Sequence, residues 1–499
     1  MVKPALSAYF AAAVLMTGTL SGLPTASSQS LPLEIRSPIA RASLTPCVDL
    51  PALPTAECGT ITVDLDRAHP AAGTTTVAFA VIPHTDRSQP SLGAIVPNPG
   101  GPGVSTIDYA GPEYAAALAP LLARRDLILM DPRGVGRSEA LTCAALSDPA
   151  RAFGTEETER ELVGKCGQEL GSRIADYGTA AVADDLDDIR ASLGIDKLDL
   201  LGDSYGTLLM TTYAQRHPQH VRSIVLSGAY DVHIDGSGEL AVAAVRRAVG
   251  LVCSRTSECV TSTVLNDFSE VSAALRAHPT SFPLTWQGST YNVVLDEWQW
   301  AGLVSHVYSG AADTDSELAL AHAAAAARTG DLAPLEALVT AYLSGTADIY
   351  AAGAQVYSDA DTWAAVCHDY PRTFDYSDTV PARTAEYDKS VASLKAQDFR
   401  PFSPQAWVTR ASYDGGICLD WPDDPTAKAP YKLGAKMPAV PVLVLAGDLD
   451  ANTATPWGRA AAAQFPDATF IEVKGSGHTP TTTEQGRALI LAFLNHPYR

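Results

Sequence analysis

One stretch limits what this chain can become: Lys197-Leu-Asp-Leu-Leu-Gly-Asp-Ser204-Tyr-Gly206, followed at once by Thr207-Leu-Leu-Met-Thr-Thr-Tyr-Ala214. A short apolar run ends in Gly-x-Ser-x-Gly and passes directly into helix formers. The pattern predicts a strand, a sharp turn and a helix, with the Ser204 hydroxyl held on an elbow above a sheet. Gly202 and Gly206 have a steric purpose, because a strand and a helix meeting at so tight a turn leave no room for Cβ atoms. The pentapeptide alone is common; its place between strand and helix makes it informative, and it occurs nowhere else in the chain. Ser204 is the candidate nucleophile.

The flanking sequence repeats this logic. Gly59–Leu65 and Thr74–Ile82 are β-branched and alternating, split by His69-Pro-Ala-Ala-Gly73, and read as an antiparallel pair. Short apolar strands follow at Gly93–Val96, Leu127–Met130 and Val221–Leu226, with a helix over Asp184–Leu193 whose Leu186, Ile189 and Leu193 share a face. From about residue 233 to 435 the alternation stops, and helical runs such as Ser316–Arg328 dominate. Strand logic resumes at Pro441–Asp450 and Thr469–Val473, and a helix over Glu484–Leu494 closes the chain. Strands alternating with helices predict an α/β fold with a mostly parallel sheet, helices on both faces and sites at the strands' carboxyl ends. The expected division is a signal peptide at 1–28, a linker at 29–45, core at 46–232, a mainly helical cap insertion at 233–435, and core again at 436–499. A separate functional domain at 233–435 is the alternative.

At 499 residues the chain exceeds one compact core, which suits that division. A net charge of −21 without a Lys/Arg cluster excludes a nucleic-acid partner. Lys3 is the last charge before Glu34, and the apolar run Ala8–Leu15 leads to Ala26-Ser-Ser28. This predicts a secretory signal rather than an anchor, since Gly18, Gly22 and Pro24 leave too short a span. An extracellular protein without stable membrane insertion is expected. Eight cysteines in an exported chain predict four disulfides, and spacing favours Cys47 with Cys58, Cys143 with Cys166, Cys253 with Cys259 and Cys367 with Cys418. There is no Cys-x-x-Cys zinc pattern, and neither metal nor cofactor is expected.

A serine hydroxyl needs a base, and the base an orienting acid. His478 ends Gly475-Ser-Gly-His after the last strand, at the sheet edge where Ser204 should lie; the other ten histidines lack such a setting. Asp448 and Asp450 both follow the penultimate strand. Asp450, deeper in its loop, suits the orienting role, and Asp448 the holding of the turn. The order Ser204, Asp450, His478 is that of α/β hydrolases. Two N–H donors must meet the developing oxyanion. Tyr205, directly after the serine, supplies one, and Gly100 or Gly101 in Asn98-Pro-Gly-Gly-Pro-Gly103 the other, Gly100 being preferred. The loop lacks the Lys-Ser/Thr ending of a phosphate-binding loop.

Asn98-Pro-Gly-Gly-Pro-Gly103, Asp131-Pro-Arg-Gly-Val-Gly-Arg-Ser138, Gly202-Asp-Ser-Tyr-Gly-Thr207, Cys418-Leu-Asp-Trp-Pro422, Gly447-Asp-Leu-Asp450 and Gly477-His478 occur together. In this combination, which runs from about Cys47 to the C-terminus, the chain resembles secreted bacterial tripeptidyl aminopeptidase-like α/β hydrolases, relatives of prolyl iminopeptidases. The resemblance implies a serine exopeptidase acting on free N-termini, with Ser204, Asp450 and His478 as triad. It departs from the family pattern at Val104-Ser-Thr106 and Ser227-Gly228, which leaves carboxylesterase or lactone hydrolase open as the alternative. A non-catalytic binding protein on the same scaffold is disfavoured by the filled triad positions. An aminopeptidase must hold a charged amine. Asp359, Asp361, Asp369 and Asp420, with Trp363 and Trp421 as pocket walls, are the candidates; Asp369, Trp363, Asp420 and Trp421 are the favoured set.

Overall fold

The computed structural model describes residues 42–230, 236–411 and 416–495; the expected signal peptide and most of the linker lie outside them. Eleven strands are described: β1 (Thr45–Pro46), β2 (Glu57–Asp64), β3 (Thr74–Ile82), β4 (Ala94–Asn98), β5 (Asp126–Met130), β6 (Leu198–Asp203), β7 (Val221–Ser227), β8 (Thr280–Trp286), β9 (Ser289–Leu295), β10 (Val442–Gly447) and β11 (Ala468–Val473). Nine form one sheet in the order β1-β2-β3-β5-β4-β6-β7-β10-β11. The first three neighbours and the β3–β5 pair are antiparallel. From β5 to β11 every pairing is parallel. The carboxyl ends of β4, β6, β7, β10 and β11 therefore open on one edge.

Every residue of β4, β6 and β10 is buried, as a sheet covered on both faces requires. Alternation divides them. Val96, Leu200, Ile224 and Val444 pack on one face against Val182, Leu186 and Ile189 of the helix Thr179–Ser192 and Met210 and Tyr213 of the helix Tyr205–Arg216. Ile95, Leu201, Val225 and Leu445 face Tyr114 and Leu118 of the helix Gly111–Leu118 and Ile490 and Leu494 of the helix Glu484–Asn495. Each such side chain contributes about 1.5–3 kcal/mol on leaving water, so the sheet is the rigid part of the molecule.

Between β7 and β10 lies a long excursion, mainly helical as expected, with helices that include Glu239–Thr256, Glu297–Tyr308, Thr314–Arg328 and Asp359–Asp369. It also holds one antiparallel hairpin, β8–β9, which the sequence reading did not single out. Its signal is local: Phe282, Leu284, Val293 and Leu295 are buried at alternate positions, and Gln287-Gly288 turns with both residues at positive φ. The cysteines form four bridges, Cys47–Cys58, Cys143–Cys166, Cys253–Cys259 and Cys367–Cys418. The last ties the helix Asp359–Asp369 to the segment before β10. Among the described residues no helix is long and apolar enough to cross a membrane.

Candidate active site

Ser204 follows β6 with φ 55 and ψ −125, a conformation that L-residues avoid. Packing imposes it. A Cβ on Gly202 would lie 2.3 Å from the Gly206 carbonyl oxygen, and one on Gly206 would lie 2.3 Å from that of Asn98. The Ser204 N–H donates to the Ser227 carbonyl at 3.0 Å, so β7 fixes the elbow from the side. The helix Tyr205–Arg216 starts at the next residue and leaves its first N–H groups directed at the space above the serine.

Beyond β10, the Asp450 carboxylate accepts the N–H groups of Asn452 and Thr453 at 2.8 and 2.9 Å and the Thr453 hydroxyl at 2.7 Å. Its Oδ2 lies 3.1 Å from His478 Nδ1. Burial would raise this carboxyl, but the adjoining His478 ring and these hydrogen bonds outweigh it and hold Asp450 below the ordinary carboxylate range. With an ionised acceptor on Nδ1, the proton sits there and Nε2 carries the lone pair. His478 Nε2 is buried and has no hydrogen-bond partner among the described residues, Ser204 Oγ included. Catalytic hydrogen bonds are often long before substrate binds. The ring itself is packed. Its Cε1 and Nδ1 would lie 3.0 and 3.1 Å from a Cβ on Gly228, the residue after the carbonyl that holds the elbow. Further along the same loop, Thr481 bonds Asp203 Oδ1 at 2.6 Å through its hydroxyl and Ser227 Oγ at 3.3 Å through its N–H. The histidine loop thus lies directly on the elbow. Asp448 instead pairs with Arg255 and accepts the Gly475 N–H at 2.8 Å, holding the turn.

The glycine loop after β4 reaches the same point. A Cβ on Gly100 would lie 2.9 Å from both Ser204 Cβ and Tyr205 N, a distance that only glycine permits at φ +90. The Gly100 N–H, however, donates to Asn98 Oδ1 at 3.0 Å. The Gly101 N–H, the other candidate, has no partner among the described residues. Asp131 holds the loop's far side. It accepts the N–H groups of Thr106, Ile107 and Arg137 and the Ser105 hydroxyl. Its burial pushes the carboxyl up to about 6 in spite of these bonds. Sequence reasoning gave Asn98, Asp131 and Thr453 no such roles, since nothing local says which distant N–H they serve.

Residues 93–248 match the family described as alpha/beta hydrolase fold, and residues 403–497 the family described as TAP-like protein. The first match carries the Ser204 elbow and the second carries Asp450 and His478, on an α/β-hydrolase fold. It is similar to Serine protease Hip1 of Mycobacterium tuberculosis, 36% identical over 193 residues that cover 36% of each chain. Tripeptidyl aminopeptidase of Streptomyces lividans is 34% identical over 185 residues, 34% of each chain. Carboxylesterase B of Mycobacterium tuberculosis is 31% identical over 204 residues, 37% of this chain and 38% of the relative. The chain spans about a third of the length of these relatives.

The excursion between β7 and β10 touches the site at several points. Ser105 and Gly136 donate to the carbonyls of Val356 and Ala354, Ser358 donates to that of Gly103, and the Thr362 hydroxyl to that of Pro102. Ala451 and His478 donate to the carbonyls of Tyr308 and Gly310. The four candidate acids fare differently. Asp369 is fully buried, accepts the Thr179 N–H and hydroxyl, and lies 2.7 Å from His368 Nδ1. Asp420 pairs with Arg160 at 3.1 Å, and Asp359 with Arg151. Trp421 packs on Gly167 of the helix Glu156–Leu170, and Trp363 is buried in the same core cluster. Asp361 alone of the four keeps a buried carboxylate oxygen without a hydrogen-bond partner. It stands beside Gly134 and next to Thr362, and burial pushes its carboxyl well above the ordinary range.

Proposed function

We propose that this hydrolase is a secreted serine exopeptidase that releases short peptides from free N-termini through a Ser204 acyl-enzyme. The observation that carries the reading is the buried His478 ring, oriented by Asp450 through Nδ1 and keeping Nε2 without a partner beside the strained serine elbow. In the reaction, Nε2 takes the Ser204 proton as Oγ attacks the scissile carbonyl, and the N–H groups of Tyr205 and Gly101 receive the oxyanion. The imidazolium returns the proton to the leaving amine as the carbon–nitrogen bond breaks. A water molecule then repeats the attack, with His478 again the base, and the acid product departs. Residues 233–435 act as the cap, and Asp361 is the group that meets the substrate's ammonium. The peptidase names of two relatives support this assignment, and the four disulfides support an extracellular setting.

A carboxylesterase is the second reading, favoured by the relative that bears that name. A fluorophosphonate probe should label the wild type and not Ser204→Ala; equal labelling of both refutes the nucleophile. Free and N-acetylated tripeptide anilides, run beside short acyl esters, separate the two enzymes. Of the two anilides only the free-amine peptide should be cleaved; equal rates on blocked and free peptides, or hydrolysis of the esters alone, would remove the exopeptidase.

A further inference from the structure

On the other end of the elbow helix stands a cluster the hydrolytic chemistry does not use. His217 caps the helix Tyr205–Arg216, and His220 follows one turn later. Asp187 comes from the neighbouring helix Thr179–Ser192. One ligand atom from each of the three lies within 4.8 Å of the others. The helix has 12 residues, so the cluster is about 18 Å from Ser204 along its axis. Asp187 Oδ1 is 2.7 Å from His220 Nδ1, and Asp187 Oδ2 is 3.6 Å from His217 Nδ1.

The second nitrogen of His217 decides what the first can do. Its Nε2 lies 2.8 Å from Asp184 Oδ1. Asp184 is itself gripped by Arg216 through Nε and Nη2, at 2.9 and 2.5 Å. With Arg216 donating to both of its oxygens, Asp184 is placed as an acceptor toward His217. The Nε2 proton therefore points at Asp184, and Nδ1 faces the Asp187 carboxylate at a distance too long for a hydrogen bond. A metal ion placed between them would be bound by the ring nitrogen and the carboxylate together. A carboxylate behind the imidazole is also the arrangement that orients metal-bound histidines.

We propose that Asp187, His217 and His220 bind a zinc ion, with water as fourth ligand, clamping the elbow helix to its neighbour. Two imidazole nitrogens and one carboxylate oxygen suit a borderline divalent ion better than calcium or magnesium, which take oxygen ligands. Side-chain exposures of 14% for Asp187 and His217 and 23% for His220 leave an entry path. Arg190 and the Tyr213 hydroxyl also sit on Asp187. The ion must share that carboxylate with them, while Arg190 keeps a separate anchor on the Ile195 carbonyl. The clamp bears on the elbow because the same helix pair meets at its other end, where the Thr179 and Tyr205 hydroxyls lie 2.7 Å apart.

The test titrates chelator-treated full-length protein with zinc chloride by calorimetry, and with cobalt chloride by visible absorption. Expected are one ion per chain, the intense bands of tetrahedral cobalt, and a zinc-dependent rise in unfolding temperature. His217→Ala and His220→Ala should abolish all three, and Asp184→Asn should weaken affinity about 10- to 100-fold at unchanged stoichiometry. Absence of saturable binding overturns the proposal, as does binding that survives the double histidine variant. If the variants do not fold, the wild-type cobalt spectrum still decides: weak octahedral bands, from oxygen ligands alone, refute the site.

Discussion

Gly228→Ala tests whether His478 must stand where the structure puts it. The residue has φ +62, so any L-side chain there meets the left-handed penalty, about 1–2 kcal/mol. The added Cβ would also lie 3.0 Å from His478 Cε1 and 3.1 Å from Nδ1, several tenths of an ångström inside normal contact. The ring cannot yield freely, because Asp450 and Thr453 hold it and its own N–H is bonded to Gly310. Displacing a catalytic group by about 1 Å costs about a hundredfold, so a shift of about half that should cost about tenfold. Gly194→Ala is the control: φ is +69, and nothing lies within 4 Å of the new Cβ. Both variants should lose similar stability in thermal unfolding. Only Gly228→Ala should slow kcat on a tripeptide anilide and the rate of fluorophosphonate labelling, by about tenfold or more. If Gly228→Ala merely matches the control, with full turnover and labelling, the ring is not the base in its observed position.

Asp361→Asn should raise KM for free-amine peptides at least about tenfold while leaving ester hydrolysis within about twofold, because an ammonium beside this buried carboxyl draws off its proton and only the free-amine peptides lose that pair; equal effects on both would assign Asp361 a structural role alone. Glu317 is buried beside Tyr308 and the Cys253–Cys259 bridge, and burial, with Asp313 adding, pushes its carboxyl up to about 7. The folded state then holds a proton that the unfolded chain releases nearer about pH 4.3, so stability should fall as pH rises through that window. Glu317→Gln should flatten that part of the stability profile, and an unchanged slope would refute the assignment. The bridge Cys367–Cys418 closes a separation of 51 residues and Cys253–Cys259 one of 6. Loop entropy gives roughly 4 and 2 kcal/mol respectively, so the Cys367→Ala/Cys418→Ala pair should destabilise more in denaturant titrations. The reverse order would show that native contacts, rather than chain entropy, set the loss.

Much of this fold is written in local pattern. Apolar runs of about four to six residues before Gly/Pro turns give the parallel strands, because a strand buried on both faces has no polar side to display. Gly-x-Ser-x-Gly gives the elbow for the same steric reason that the structure displays at Gly202 and Gly206. Ser204, Asp450 and His478 are each legible as residues at strand ends, although 274 positions separate the first from the last in the sequence. What sequence could not decide is direction. Gly100 and Gly101 are equivalent as letters, yet the Asn98 side chain captures the N–H of the first. Asp359, Asp361, Asp369 and Asp420 are alike as acids, yet three are taken by partners from Arg151, Thr179 and Arg160, far away in the chain. His217 and His220 gain Asp187 and Asp184 only because two helices lie side by side. Backbone pattern acts over a few residues and survives translation into structure. The hydrogen-bond partner of a buried polar atom is chosen by whatever the completed packing brings within about 3 Å, and that exists only in the folded molecule.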